Sequence, residues 1–517
     1  MNFRIIIFLI LPNIVGCKSI SVSKTSPNVI LILVDDMGFS DLGAYGSEIE
    51  TPNIDRMAFE GVRFSNAYNT SKCFPSRAAL ITGLYSQQTG YHESFDQPMR
   101  NAITLGELFQ SEGYITLWSG KHHSTENPVD RGFDHYSGLL DGASNHFNPG
   151  LQREGEGMPA QKWLDKNPIK YRNWVIEGEI LSPYTPKSKD FYTTDIFTDY
   201  ALNWIRKLEE EKPFFLYLSY TAPHDPLMAW PADIEKYKDR YNEGYDKIRK
   251  ARFEKQKKLG ILPENTILSQ AEHADWDSLS EEKKREESRT IAVYAAMIDR
   301  LDQNIGRIIK TLESKGELDN TLILFTSDNG GSSEVVNIPY GTGEIGEMTN
   351  WKSLGKNWAN VSNTPYREFK NWSHEGGIKT PLIAYWPMKI KNKGVVSHKP
   401  IHFIDVLPTL QEVIGAYYPK KLNGDNIVPS PGKSFLPQIL GNNSTERETP
   451  IFWQWKNGKA VRKGNWKLVA YKNIWELYNL ENDPVEEINL IETETEIATQ
   501  LKLNYKGWAN QFKISDN

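Results

Sequence analysis

A chain of 517 residues is long enough for a large buried core and more than one domain, and 39% hydrophobic with 24% charged residues is ordinary for a soluble globular protein. The formal net charge of -6 excludes nucleic acid as the main partner, because phosphate binding needs a clear basic excess. It does not exclude an anionic ligand, since a local cluster of Lys, Arg and His can hold one on a weakly acidic protein.

In chain order, the first feature is Arg4 followed by the apolar run Ile5 to Ile14, broken only by Pro12 and Asn13. The run is too short to span a bilayer comfortably, so residues 1–16 read as an export signal. Ile14-Val15-Gly16-Cys17 resembles a bacterial lipoprotein cleavage box. That resemblance implies lipidation of Cys17 and an anchor in a bacterial membrane, expected to be the outer one, on its periplasmic or cell-surface side. Ordinary signal cleavage near the same point is the alternative. The only other cysteine is Cys73. With Cys17 lipidated it has no disulfide partner, and a lone thiol in an oxidising compartment is a liability unless buried or used.

Residues 18–26 read as a flexible tether. Pro27 to Val34 then reads as a strand whose continuous apolar run suits burial on both faces. Further strands are expected at Tyr114 to Trp118, after a helical stretch from Thr104 to Glu112, at Phe214 to Ser219 and at Thr321 to Thr326. Helix and strand alternate, which predicts an α/β fold with a large doubly wound, mixed or parallel sheet sandwiched by helices. Residues 237–290 are rich in Lys, Glu and Arg and read as a solvated insertion. Ser288 to Lys310 reads as an amphipathic helix against the sheet. Beyond about residue 440 come four short strands, Ile451 to Trp455, Ala460 to Arg462, Trp466 to Ala470 and Trp475 to Asn479, with Asn457-Gly458 and Gly464-Asn465 as turns. The expected division is a main domain over 27–440 and a small antiparallel sheet over 441–517.

The chemistry gathers at strand ends. Asp35-Asp36 follow the first strand, at the edge where open parallel sheets bind ligands. Asp328-Asn329-Gly330-Gly331 follow another strand in the same way. Two adjacent carboxylates repel unless a cation lies between them, and four oxygen-bearing side chains suit a hard ion such as Ca²⁺ better than zinc.

Cys73-Phe74-Pro75-Ser76-Arg77, running on to Gly83, resembles the signature of the type I sulfatases of the alkaline phosphatase superfamily. The resemblance extends over nearly the whole mature chain. It takes in Asp41-Leu42-Gly43, Thr51 to Asp55, Gly120-Lys121-His122-His123, and Ala222-Pro223-His224-Asp225-Pro226. It continues through Lys370 before Glu375-Gly376-Gly377, and through Ala460-Val461-Arg462, Trp466-Lys467-Leu468 and Glu476 to Leu480 at the end. The segment from Tyr245 to Ser280 looks most like the bacterial arylsulfatase branch. His122 stands where an aromatic residue is usual, and Lys379 where arginine is; the Lys379 position looks structural. His374 departs from the common pattern and is a candidate for substrate contact.

The resemblance implies that a separate maturation enzyme oxidises Cys73 to formylglycine. It implies one Ca²⁺ held by Asp35, Asp36, residue 73, Asp328 and Asn329, and catalysis by residue 73, Arg77, Lys121, His123, His224 and Lys370. Lys121 and Lys370 would bind the sulfate oxygens with the metal, and a hydroxyl of hydrated formylglycine would attack sulfur. Asp328 would accept its proton, His224 would protonate the leaving oxygen, and Arg77 would hold the hydroxyls. His123 would take the proton that lets the aldehyde re-form. The expected substrate is a sulfated polysaccharide or oligosaccharide, such as those of algal walls. Two other readings stand beside this one: a phosphodiester or phosphonate monoester hydrolase of the same superfamily, and a non-catalytic glycan-binding lipoprotein.

Overall fold

The computed structural model describes residues 26–160, 172–209, 212–336, 342–442 and 447–514. The expected export signal, Cys17 and most of the expected tether lie outside the described residues. Among the described residues, no helix is long and apolar enough to cross a membrane.

Eleven strands make the main sheet: β1 (Asn28–Val34), β2 (Val62–Tyr68), β3 (Ile115–Lys121), β4 (His135–Leu139), β5 (Trp174–Ile176), β6 (Glu179–Leu181), β7 (Phe214–Ser219), β8 (Thr321–Ser327), β9 (Lys379–Tyr385), β10 (Val395–Ser397) and β11 (Ile401–His402). Their order is β10-β2-β9-β8-β1-β7-β3-β4-β5-β6, with β11 beside β2. β1 lies between β7 and β8 and is parallel to both. Every residue of β1 is buried, as its unbroken apolar run requires. Ile30, Ile32 and Val34 face one core, with the Thr193–Lys207 and Glu281–Ser314 helices. Val29, Leu31 and Leu33 face the other, with the Cys73–Thr82, Leu105–Ser111 and Val406–Ile414 helices. The alternation follows from the two-residue period of a strand. The Leu105–Ser111 helix starts where Thr104 and Glu107 cap one another, Glu107 N–H donating to Thr104 Oγ1 at 3.1 Å and Thr104 N–H to Glu107 Oε2 at 2.7 Å.

β9 is antiparallel to both β8 and β2. Its first residues therefore lie at the same edge as the last residues of β1, β2, β3, β7 and β8. That reversal brings the segment before β9, with Lys370, to the carboxyl edge of the sheet.

One expectation is refined and one corrected. The charged segment 237–290 is largely exposed, as expected, but its helix Tyr245–Lys258 buries Arg249 and Arg252. Arg252 is 1% exposed and bonds Asp41 at 2.6 Å and Glu48 at 2.8 Å, while Arg249 donates to the Ser269 carbonyl at 2.9 Å. A buried charge that finds its partners far along the chain looks like a wet one in sequence. The first turn of the C-terminal sheet also shifts. Trp455 pairs with Gly458, so Lys456-Asn457 make the turn, and Lys463 pairs with Trp466 around Gly464-Asn465 as expected.

Candidate active site

The carboxyl edge of the main sheet gathers a dense set of buried ionisable groups. Asp35 and Asp36 leave β1, with Asp36 in the left-handed region at φ 64°. Asp328 and Asn329 leave the neighbouring β8. Lys121 ends β3, and the loop after β7 carries His224. All except His224, which keeps slight exposure, are buried.

Cations close on the carboxylates. Lys121 Nζ pairs with Asp35 Oδ2. Lys370 Nζ lies 2.7 Å from Asp36 Oδ1. Arg77 Nη2 lies 2.7 Å from Asp328 Oδ2 and 3.7 Å from Asp35 Oδ1, and Nη1 donates to Ser219 Oγ at 2.5 Å. Asn329 Nδ2 donates to Asp36 Oδ1 at 2.6 Å.

Cys73 is buried and opens the helix Cys73–Thr82. The loop leading to it is tied down by Ser76, whose Oγ accepts from Thr70 N–H at 3.0 Å. At that position residue 73 sits on the positive end of the helix dipole, where negative charge is favoured. It also lies within electrostatic reach of Arg77, one turn on, and of Lys370.

Burial acts most strongly on all three carboxyls and opposes their charge. At Asp35 it is overcome by Lys121, His224 and Arg77, and at Asp36 by Lys370 and His224, so both are held below the usual carboxylate range. At Asp328 burial and the charge of Asp35 win over Arg77, and the carboxyl rises to about 6. The edge thus packs three carboxyls against four cations, Lys121, Lys370, Arg77 and protonated His224. Two acceptors, Asp35 Oδ1 and Asn329 Oδ1, are buried with no hydrogen-bond partner among the described residues. Ligand atoms of Asp35, Asp36 and His224 lie within 4.8 Å of one another. Orphaned hard oxygens beside clustered buried carboxylates fit a divalent cation that prefers oxygen ligands.

The histidines divide. His224 Nδ1 is 2.8 Å from Asp225 Oδ1 and its Nε2 is 3.6 Å from Asp36 Oδ2. Burial works against its charge, but Asp36 and Asp35 prevail and raise it to about 9, so it carries a proton at neutral pH. His123 has φ 64° and its ring packs edge-on against Phe95 and Phe74 at 4.8 and 5.7 Å. Burial, then Lys121 and Arg77, push it well below its ordinary value, so it is neutral, and its Nδ1 has no hydrogen-bond partner among the described residues. His122 packs on Trp118 at 4.5 Å and is pushed down to about 3 by burial. Its imidazole fills the place of a core aromatic ring.

His374 does not join this cluster of contacts. It is 2% exposed and its Nε2 lies 2.8 Å from Glu476 Oε2 in the C-terminal sheet. Three supporting residues escaped the sequence reading. Asp225 orients His224, and its place inside the Pro-His motif could have signalled it. His146 reaches the His224 carbonyl at 3.1 Å from a distant loop. Glu334 bridges Lys72 at 3.2 Å, Lys370 at 3.3 Å and Asn371 at 3.0 Å. Nothing local in sequence marks the last two, because their partners are distant in the chain.

The Sulfatase family model matches residues 27–416, and the model for the N-sulphoglucosamine sulphohydrolase C-terminal region matches residues 367–511. A sulfatase of Schizosaccharomyces pombe is 34% identical over 522 residues, covering 92% of each chain. The arylsulfatase of Klebsiella aerogenes is 33% identical over 79% of this chain and 91% of its own. Among solved structures, Ps i-CgsB in complex with k-i-k-neocarrahexaose aligns with TM-score 0.67 and 26% identity, over 94% of this chain and 93% of that one.

Proposed function

This chain belongs to the sulfatase family and is a sulfuric ester hydrolase, and we propose that it removes sulfate from a sulfated glycan at a centre built on residue 73, matured to formylglycine, and on a calcium site. The observation that carries this reading is the convergence at one sheet edge of Cys73 at a helix N-terminus, three buried carboxylates, Arg77, two buried lysines and two histidines of opposite protonation.

Asp35, Asp36, Asp328 and Asn329, with residue 73, would hold Ca²⁺, which supplies positive charge beside the sulfuryl group, while hydrated formylglycine supplies the nucleophilic hydroxyl. Lys121 and Lys370 bind the sulfate oxygens and fix their orientation. Both are buried, so their charges act with little screening by water. Arg77, anchored on Asp328 and Ser219, holds the geometry around residue 73. His224 offers its Nε2 proton to the leaving alcohol oxygen, with Asp225 fixing the ring through Nδ1. His123, kept neutral, accepts a proton at an unpartnered nitrogen when sulfate departs.

A glycan substrate is supported by the carrageenan-type oligosaccharide in the Ps i-CgsB complex. Relatives named N-acetylgalactosamine-6-sulfatase, such as the human one at 27% identity over 83% of this chain, point the same way. An algal polysaccharide is the specific form proposed. The reading includes export and lipid anchoring through Cys17, which labelled-lipid incorporation lost in Cys17→Ser would test.

The central test has two arms. Mass spectrometry of the peptide containing residue 73, from the native host, should find an aldehyde in place of the thiol. Chelation of the purified enzyme should abolish turnover of 4-nitrophenyl sulfate, and calcium should restore it. An unmodified thiol in a fully active enzyme, or activity indifferent to chelation, would overturn the reading.

A further inference from the structure

A second concave region lies away from the contacts just described, where β2 and β11 meet the C-terminal sheet. It is a cavity of 520 Å³, within the range that buries a small ligand. Five permanent cations line it, Lys379, Lys399, Lys433, Arg447 and Arg462, of which Lys379 is already held by Glu375 at 3.0 Å. Two carboxylates, Asp405 and Glu481, oppose them. In a chain of net charge -6, this local excess runs against the overall balance.

The carboxylates are already engaged. Asp405 accepts from Arg447 at 2.6 Å and from the backbone N–H groups of His402 and Lys433 at 2.8 and 2.7 Å. Glu481 accepts from Asn465 at 2.7 Å. Arg447 Nε is buried and has no hydrogen-bond partner among the described residues. Tyr366, Phe435 and Leu480 supply apolar wall between the charges. A cavity that is cationic and apolar by turns suits an anion on a body with nonpolar faces, as a sulfated sugar ring is.

We propose that this cavity is a secondary binding site for a sulfated sugar unit, distinct from the reacting centre, that grips a sulfated glycan at a second point. The inference rests on the glycan reading above. Two-point attachment raises apparent affinity for a chain without affecting a small substrate that fills only the reacting centre.

The test uses full-length enzyme and the double variant Lys399→Glu/Lys433→Glu, which reverses two cations outside the reacting centre. The probes are a tetrasaccharide built on N-acetylgalactosamine 6-sulfate, its desulfated parent, and 4-nitrophenyl sulfate. In the Cys73→Ala background, titration calorimetry should find one tetrasaccharide per chain, with a Kd that weakens about 5- to 10-fold after the double change. In active enzyme the KM for the sulfated tetrasaccharide should rise about 5- to 10-fold, with kinetics on 4-nitrophenyl sulfate unchanged. A Kd indifferent to the charge reversal, or equal binding of the desulfated parent, would each overturn the proposal. So would an equal loss on both substrates. Should the Kd respond to the charge reversal while no sulfated glycan is hydrolysed, the cavity stands and the glycan-substrate reading falls.

Discussion

Two of the molecule's buried ion clusters, one closed by Lys370 and the other centred on Glu375, are built on opposite plans. Around Glu375 both carboxylate oxygens are met. Its Oε1 lies 2.7 Å from Lys467, while its Oε2 accepts from Tyr68 at 2.8 Å and lies 3.0 Å from Lys379. Lys467 also meets Glu486 at 2.8 Å, and the Glu375 N–H donates to Glu486 at 2.7 Å. This cluster fastens the start of β9 to the C-terminal sheet. At the carboxyl edge, by contrast, acceptors on Asp35 and Asn329 have no hydrogen-bond partner among the described residues, and Asp328 is pushed up towards neutrality. A closed cluster holds a fold together; an open one is poised for something the chain does not itself contain. Burial alone does not tell the two apart. The count of satisfied partners does.

The largest effect that sharpens this contrast is loss of residue 73. Cys73→Ala should lower turnover by at least about 10⁴-fold, as removal of a covalent nucleophile does, with the thermal midpoint nearly unchanged. Near-normal turnover of 4-nitrophenyl sulfate would remove the functional meaning of the open cluster. Next comes His224→Ala, with an expected loss of about 10²–10⁴-fold on an alkyl or sugar sulfate. The loss should shrink on an aryl sulfate with a good leaving group, because protonation then matters less. A loss independent of leaving group would assign His224 another role.

Glu375→Gln probes the closed cluster. It leaves Lys379, Lys467 and Arg462 short of a buried partner and should cost about 3–5 kcal/mol of stability. Burial alone would raise the Glu375 carboxyl, but Lys467, Lys379 and Arg462 hold it well below its ordinary value. A depressed carboxyl contributes stability above its unfolded pKa of about 4.5 and loses it as pH falls towards the folded value. The difference in thermal midpoint between wild type and Glu375→Gln should therefore be full at about pH 6 and shrink on acidification to about pH 3. A difference independent of pH would show that the ionised form is not what stabilises the junction.

These residues also show what the sequence made legible. The strand ends carrying Asp35, Asp36, Asp328 and Asn329 could be read because continuous apolar runs mark buried strands and polar residues mark where they stop. Cys73, Lys121 and His224 stood out through short motifs. The reversal of β9 could not be read, since a buried apolar strand has the same pattern in either direction; Lys370 was legible as a motif residue but its route to the edge was not. The inward-facing Arg249 and Arg252 were hidden because an arginine with a distant carboxylate or carbonyl partner is indistinguishable, locally, from one in water. The role of His374 was likewise set by Glu476, 102 residues away.

Glu334 gives the smallest effect and the finest discrimination. Its carboxylate is 44% exposed, yet it bridges Lys72, Lys370 and Asn371 at the mouth of the open cluster. Glu334 adds one negative charge beside Lys370 and so to the repulsion that an incoming sulfate ester must overcome. Glu334→Gln keeps the shape and removes the charge. The KM for 4-nitrophenyl sulfate should then fall about 2- to 5-fold, more at low ionic strength than at high, with kcat within about twofold, because a half-exposed charge acts through screened solvent. The opposite result, a raised KM with lowered kcat at every ionic strength, would mean that Glu334 matters by holding Lys370 in position. The mouth of the open cluster would then be built on the same closed plan as Glu375, and the contrast between the two would hold only for the carboxylates behind it.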